Sequence, residues 1–239
     1  MRVAIVIVWL AACGGSSPPP AGDDGQIGDD AGLVGGSCSA VPADETGDGT
    51  YYAADGTGNC SFDASPDDLM VVAMNHVDYA DAQWCGACLA VTGPNGTVNV
   101  RVVDQCPECK QGDLDMAPQA FDMIADHAAG RVKITWHEIA CDATGPISYH
   151  FKDGANAYWT AIQIRNGRYP IAKVEAMKNG AYVEVPRLDY NYFVQADGLG
   201  NGPYQLRITD QRGHIVEDNG IALGDNVTRT GASQFDACP

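Results

Sequence analysis

VVDQCPECKQGDLDMAPQAF (residues 102–121) places Asp104, Glu108, Asp113 and Asp115 beside Cys106 and Cys109 within twenty positions. Just upstream, VTGPNGTVNVRVV sets two apolar runs around Pro94-Asn95-Gly96, the composition of a hairpin turn. Val98, Val100 and Val102 alternate, so a two-residue period predicts that Asp104 continues their face at a strand end. Downstream, Pro118 opens a predicted helix, with Phe121, Ile124, Ala125 and Ala128 at helical spacing and a close at Gly130. Asp115 stands just ahead of that helix, where the free amides of a helix start favour an anion. VKITWHEIA then alternates as a further strand. Residues 50–143 therefore read as a compact β-barrel carrying one helix.

From residue 147 the chain is nearly all strand: ISYHF, YWTAIQIR, IAKVEAM, AYVEV, NYFVQ, YQLRITD and HIVED, with Gly, Asn or Pro between them. Short strands at regular spacing with turn residues between them predict a β-sandwich. In YWTAIQIR, Ile162 and Ile164 share one face, while Trp159, Ala161, Gln163 and Arg165 share the other. A tryptophan on that more polar face is expected to be exposed, as an aromatic on which a flat sugar ring stacks.

The net charge is −17, from 14 basic and 31 acidic residues. Nucleic acid is excluded as a partner, because its phosphates demand a basic footprint. The charge is uneven. Residues 38–143 hold 4 bases and 17 acids, whereas residues 144–239 hold 9 and 10. The break predicts a domain boundary near residue 143.

The first thirteen residues, MRVAIVIVWLAAC, join a short basic start to an apolar run too short to span a bilayer. Leu10-Ala11-Ala12-Cys13 resembles the bacterial lipobox, which predicts lipidation at Cys13; an ordinary signal peptide is the alternative. Residues 14–37 are rich in Gly, Pro, Ser and Asp and read as a flexible spacer. An exported protein follows, either anchored by lipid at the cell surface or periplasm, or secreted.

Eight cysteines remain: Cys38, Cys60, Cys85, Cys88, Cys106, Cys109, Cys141 and Cys238. Cys85-x2-Cys88 and Cys106-x2-Cys109 have zinc-ribbon spacing. An oxidising compartment and an even count favour four disulfides instead. No metal is expected, since His76, His127, His137, His150 and His214 lie singly along the chain. No phosphate loop or dinucleotide fingerprint is present, and no cofactor is expected.

With these residues in view, the chain resembles an expansin, specifically a bacterial expansin-like protein, from Gly47 to Ala222. The first half of the match is GTYYAADGTGNCSF, WCGACLAVTGPNG and VVDQCPECKQGDLDMAPQAF. The second is YHFKDGANAYWTAIQIRNGRYPIAKVEAMKNGAYVEVPRLDYNYFV with YQLRITDQRGHIV. The resemblance implies a mainly β protein. A six-stranded double-psi β-barrel (38–143) would precede an immunoglobulin-like β-sandwich (144–239) that is a family 63 carbohydrate-binding module. It also implies non-hydrolytic loosening of plant cell walls. The partners would be cellulose and xyloglucan or xylan, bound by a monomer that meets membrane only through its anchor. Asp115 matches the family's key aspartate, the general-acid position of related glycoside hydrolases. Asp104 and Glu108 match further groove acids. Tyr158, Trp159 and Tyr190 match the aromatics of the binding face, with Lys152 beside them. Strand parity, by contrast, would turn Tyr158 inward.

The resemblance further implies Cys60–Cys85 and Cys88–Cys141 disulfides. The four cysteines left over would pair as Cys106–Cys109 and Cys38–Cys238, with the crossed pairing open. Two departures stand out. Cys106 occupies a position that is often tyrosine in bacterial relatives, and Ala117 replaces a serine that would cap the helix. The acidic first domain predicts weak attachment to pectin and binding that rests on stacking.

Inverting glycosidases place an acid and a base on opposite sides of the sugar. No second carboxylate matches the hydrolase base, and Asp55 lies in ordinary turn sequence. The alternative is a lytic enzyme on the same barrel, endoglucanase-like or a peptidoglycan lytic transglycosylase, with Asp115 as a lone general acid.

Overall fold

The alternating valines at 98–102 belong to an eleven-residue strand in a closed six-stranded barrel. The computed structural model describes Cys38 and residues 43–238. The predicted signal segment, Cys13 and the spacer at 14–37 lie outside the described residues.

The barrel comprises β1 (Glu45–Tyr51), β2 (Val71–Asn75), β3 (Cys88–Gly93), β4 (Gly96–Cys106), β5 (Leu114–Met116) and β6 (Val132–Ile139). Their order around the barrel is β1-β5-β2-β4-β3-β6, closed by β6 against β1. β1 runs parallel to β5 and β2 parallel to β4, while the other pairs are antiparallel. Pro94 and Asn95 turn the β3–β4 hairpin, whose register puts Gly93 opposite Gly96. Inside lie Val72, Met74, Leu89, Val91, Val98, Val100, Val102, Leu114, Met116, Ile134 and Trp136. Closure leaves no sheet edge to be covered.

Two helices accompany the barrel: the single turn α1 (His76–Tyr79) and α2 (Pro118–Ile124). α2 buries Ala120, Phe121 and Ile124, and Ala117 at its start supplies no side-chain cap. It is shorter than its sequence pattern. Ala125 is fully extended at φ −157°, so Ala128 falls instead in a separate 3-10 turn, His127–Ala129, that Gly130 closes.

Eight further strands form two four-stranded sheets over one shared core. One sheet orders β10 (Ala181–Glu184), β9 (Ile171–Lys178), β12 (Tyr204–Asp210) and β13 (Ile215–Ile221). The other orders β11 (Phe193–Gln195), β8 (Thr160–Arg165), β7 (Ser148–Phe151) and β14 (Val227–Thr230). Tyr149, Phe151, Ile162, Ile164 and Phe193 of the second sheet meet Val174, Ala176, Leu206, Ile208 and Val216 of the first.

The polar face of β8 is not a solvent face. Gln163 is fully buried against the barrel, and Ala161 is fully buried beneath Trp159, Tyr190, Tyr192 and Val194. Gln163 Nε2 donates to the Cys60 and Ser61 carbonyls at 2.8 and 3.2 Å, and Asn191 Nδ2 donates to the same Cys60 carbonyl at 3.2 Å. Arg187 reaches the Ala82 carbonyl at 2.8 Å, and Arg165 pairs with Asp63 at 2.6 Å. Alternation identified the face correctly but not its neighbour, since a buried polar residue with partners reads in sequence like an exposed one.

The eight described cysteines form four disulfides: Cys38–Cys238, Cys60–Cys85, Cys88–Cys141 and Cys106–Cys109.

Candidate functional site

A row of side chains across four barrel strands builds the groove. Thr50 on β1 lies opposite Asp115 on β5, Asp115 opposite Ala73 on β2, and Ala73 opposite Asp104 on β4. Leu114 and Met116 point into the core, which turns Asp115 outward. Asp104 joins the row through an irregularity. The β2–β4 register passes from Val72–Val102 to Ala73–Asp104 and skips Val103. That extra residue reverses the alternation, so Asp104 does not continue the face of Val98, Val100 and Val102. It is half-exposed while those valines are buried. The two aspartates stand two strands apart, a backbone separation of roughly 10 Å, with only alanine between them.

Asp115 is half-buried, and the Thr50 hydroxyl donates to its Oδ1 at 2.6 Å. Burial raises its pKa, Glu108 and Asp104 add to the rise, and Thr50 and Arg131 oppose it. The carboxyl is thus biased toward the protonated form, in which it could donate to a sugar oxygen. Asp104 is held differently. Its Oδ1 accepts the backbone amides of Asn59 (2.7 Å) and Gln105 (2.8 Å). Gly58 makes that approach feasible, because a Cβ there would lie 2.4 Å from the Asp104 side chain. Tyr52 lies two residues beyond Thr50. Its hydroxyl is buried without a hydrogen-bond partner among the described residues, and burial with the Asp104, Asp115 and Asp55 charges drives its pKa upward.

Asp115 and Glu108 line a cleft of about 500 Å³ with Asp48, Thr50, Tyr51, Cys106, Cys109, Lys110, Asp113 and Arg131. Asp104 lies outside that lining. Glu108 is exposed on the β4–β5 loop, which the Cys106–Cys109 bond closes on itself. Asp113 serves that loop, since it is buried and accepts the amides of Asp48 (2.8 Å) and Lys110 (3.2 Å). Asp48, paired with Lys133 at 2.5 Å and Arg131 at 3.3 Å, forms the rim.

The sandwich contributes an aromatic patch. Tyr158 is 84% exposed. It sits in a turn before β8, with its amide bonded to Asn156 Oδ1 at 2.9 Å, so strand parity does not apply to it and does not turn it inward. Trp159 and Tyr190 are half-buried and pack on Ala161, Tyr192 and Val194. Lys152 Nζ lies 5.7 Å from the Tyr190 ring centroid and 4.8 Å from that of Tyr192. Groove and patch are joined through Asn59. Its amide holds Asp104, while its side chain donates to the Asp189 carbonyl at 2.7 Å, next to Tyr190. Tyr79 donates to the same carbonyl at 3.1 Å.

A family model described as lytic transglycolase matches residues 71–136, within the barrel. Expansin-YoaJ of Bacillus subtilis (strain 168) is 38% identical over 160 residues, covering 65% of this chain and 68% of its own. The chain belongs to the expansin family. The crystal structure of the apo expansin of Clavibacter michiganensis superposes with a TM-score of 0.77 at 32% identity, covering 82% of this chain and all of its own. An aspartate-to-asparagine mutant of that Clavibacter expansin, solved in complex with cellohexaose, matches equally well.

Sequence reading did not single out Thr50, Tyr52, Asn59 or Arg131 in this expansin. Thr50 and Tyr52 follow from nothing local, since β1 (ETGDGTY) lacks apolar alternation. Asn59 acts through its backbone amide and a contact 130 residues away.

Proposed function

We propose that the protein binds cell-wall polysaccharide along the groove and aromatic patch, and loosens glucan–glucan contacts without cutting them. The observation that carries this reading is the strand register. Asp115 and Asp104 share one face of the sheet with Ala73 between them, and Asp104 Oδ1 is taken by two backbone amides. Hydrolysis with inversion needs a base across the sugar from the acid. Glu108 is exposed on the β4–β5 loop and lines the same cleft as Asp115, and in this reading it contacts glucan rather than activating water. In such a row protonated Asp115 can donate to a glucan oxygen and Asp104 can accept from a glucan hydroxyl. In this reading residues 38–143 form the groove domain and 144–239 a cellulose-binding domain. Tyr158, Trp159 and Tyr190 supply stacking surface, and Lys152 a polar edge. Cellulose and xyloglucan or xylan are the partners, and the protein acts outside the cell, tethered through Cys13.

A second reading rests on the elevated pKa of Asp115 and the lytic-transglycolase match to the barrel. A single carboxylic acid serves an intramolecular attack by the substrate's own hydroxyl, with no water-activating base. Peptidoglycan would then be the substrate.

Wild type and Asp115→Asn incubated with amorphous cellulose, xylan and peptidoglycan separate the two. Binding to the first two without new reducing ends or anhydro-muropeptides is expected. Asp115-dependent products from any of the three would overturn the non-lytic reading.

A further inference from the structure

His214 is alone in sequence but not in the fold. It is buried, and its Nε2 lies 3.7 Å from both Cys38 Sγ and Cys238 Sγ. Its Nδ1 lies 2.7 Å from Oδ2 of buried Asp210. Asp210 Oδ1 accepts the amides of Arg212 (2.9 Å) and His214 (2.8 Å), the environment of an ionised carboxylate. A carboxylate can only accept, so Nδ1 carries the ring proton and the Nε2 lone pair faces the two sulfurs. Tyr169 fixes both partners. Its ring stacks on His214 at 5.7 Å, and its hydroxyl oxygen accepts the Cys238 amide at 2.9 Å. Among the described residues, no histidine nitrogen makes a hydrogen-bond contact with a sulfur of the other three disulfides.

We propose that Cys38–Cys238 is a reactive disulfide that exchanges with an external thiol, with His214 as its proton shuttle and Asp210 orienting the ring. Cys38 is exposed and Cys238 half-exposed, which makes Cys38 Sγ the accessible electrophile. The incoming thiol gives its proton to His214 Nε2, and the thiolate attacks Cys38 Sγ. The S–S bond breaks, its electron pair leaves on Cys238 Sγ, and the imidazolium returns the proton there. The products are a mixed disulfide on Cys38 and a free Cys238 thiol. A dithiol completes the cycle with its second thiol, releasing Cys38 as a thiol and leaving as its own disulfide, so that two electrons pass to the protein. Asp210 holds the ring in the required tautomer throughout, as the third member of such triads does. The inference is independent of the polysaccharide reading.

The test is timed reduction of the full chain by limiting dithiothreitol, with alkylation and peptide mass analysis scoring each disulfide. Cys38–Cys238 is expected to open about tenfold faster than Cys106–Cys109. His214→Gln should slow it about tenfold and leave the others unchanged. A phosphine reductant, which needs no thiol deprotonation, should shrink the wild-type advantage. Equal rates at the two disulfides, or an unaltered rate in folded His214→Gln, would overturn the proposal. If that variant does not fold, the wild-type dithiol-to-phosphine rate ratio decides. A ratio higher at Cys38–Cys238 than at Cys106–Cys109 supports exchange catalysis, and an equal ratio rejects it.

Discussion

Asp115 is pulled two ways: burial and neighbouring acids favour its proton, while Thr50 and Arg131 favour its charge. The net rise means that the folded state holds this proton more tightly than the unfolded chain does. Ionised Asp115 therefore costs stability above its folded pKa, and that cost disappears as pH falls through it. Asp115→Asn should accordingly raise the Tm at about pH 7, with the gain fading as the medium approaches about pH 4. Thermal unfolding of both proteins across that range checks the sign, and a variant less stable at neutral pH would refute it. Thr50→Val removes the donor that stabilises the charged form, so it should push the Asp115 pKa higher still, readable by carboxyl NMR titration. Asp115 stands out in the sequence through the family resemblance, which matches it to the key aspartate; its place ahead of a proline-started helix adds only that an anion is favoured there. Its partner Thr50 could not, since the bond spans 65 residues and β1 carries no apolar pattern.

At the level of elements, long-period signals were legible and local irregularities were not. The β3–β4 hairpin announced itself through Pro94-Asn95-Gly96, and the seven strands quoted beyond residue 147 through alternation. The extra residue at Val103 did not, because a bulge leaves composition unchanged while reversing every later side chain. The three-residue β5, and α2's stop at an extended Ala125, have no sequence marker of their own. The Cys106–Cys109 bond closes only a short loop, so the entropic contribution to stability is about 2 kcal/mol. Replacing both cysteines by serine should lower unfolding stability by about that amount in denaturant titration. Polysaccharide binding should fall more than this loss alone implies, as Glu108 loses its place. Unchanged binding would mean that the loop contributes nothing to the groove.

Taken whole, the molecule joins an acidic barrel to a nearly neutral sandwich through buried polar contacts from Gln163 and Asn191 to the Cys60 and Ser61 carbonyls. Asn59 links the two through Asp104, Tyr79 and Asp189. Asn59→Ala should cost about 1–2 kcal/mol of stability for its lost side-chain hydrogen bonds, measured by denaturant unfolding. Exposed Tyr158 should be separable from the fold. Tyr158→Ala is expected to leave Tm unchanged and weaken cellulose binding about fivefold, the equivalent of about 1 kcal/mol of stacking. That binding should change little with added salt, since screening acts on charges and not on stacked rings. The central claim is loosening without cleavage. It is tested most directly by clamping a wall strip under constant load, adding wild type or Asp115→Asn, and recording creep while assaying new reducing ends in the same bath. The account predicts creep with wild type, none with the mutant, and no new ends with either. Reducing ends that rise with creep and vanish with Asp115 would contradict it.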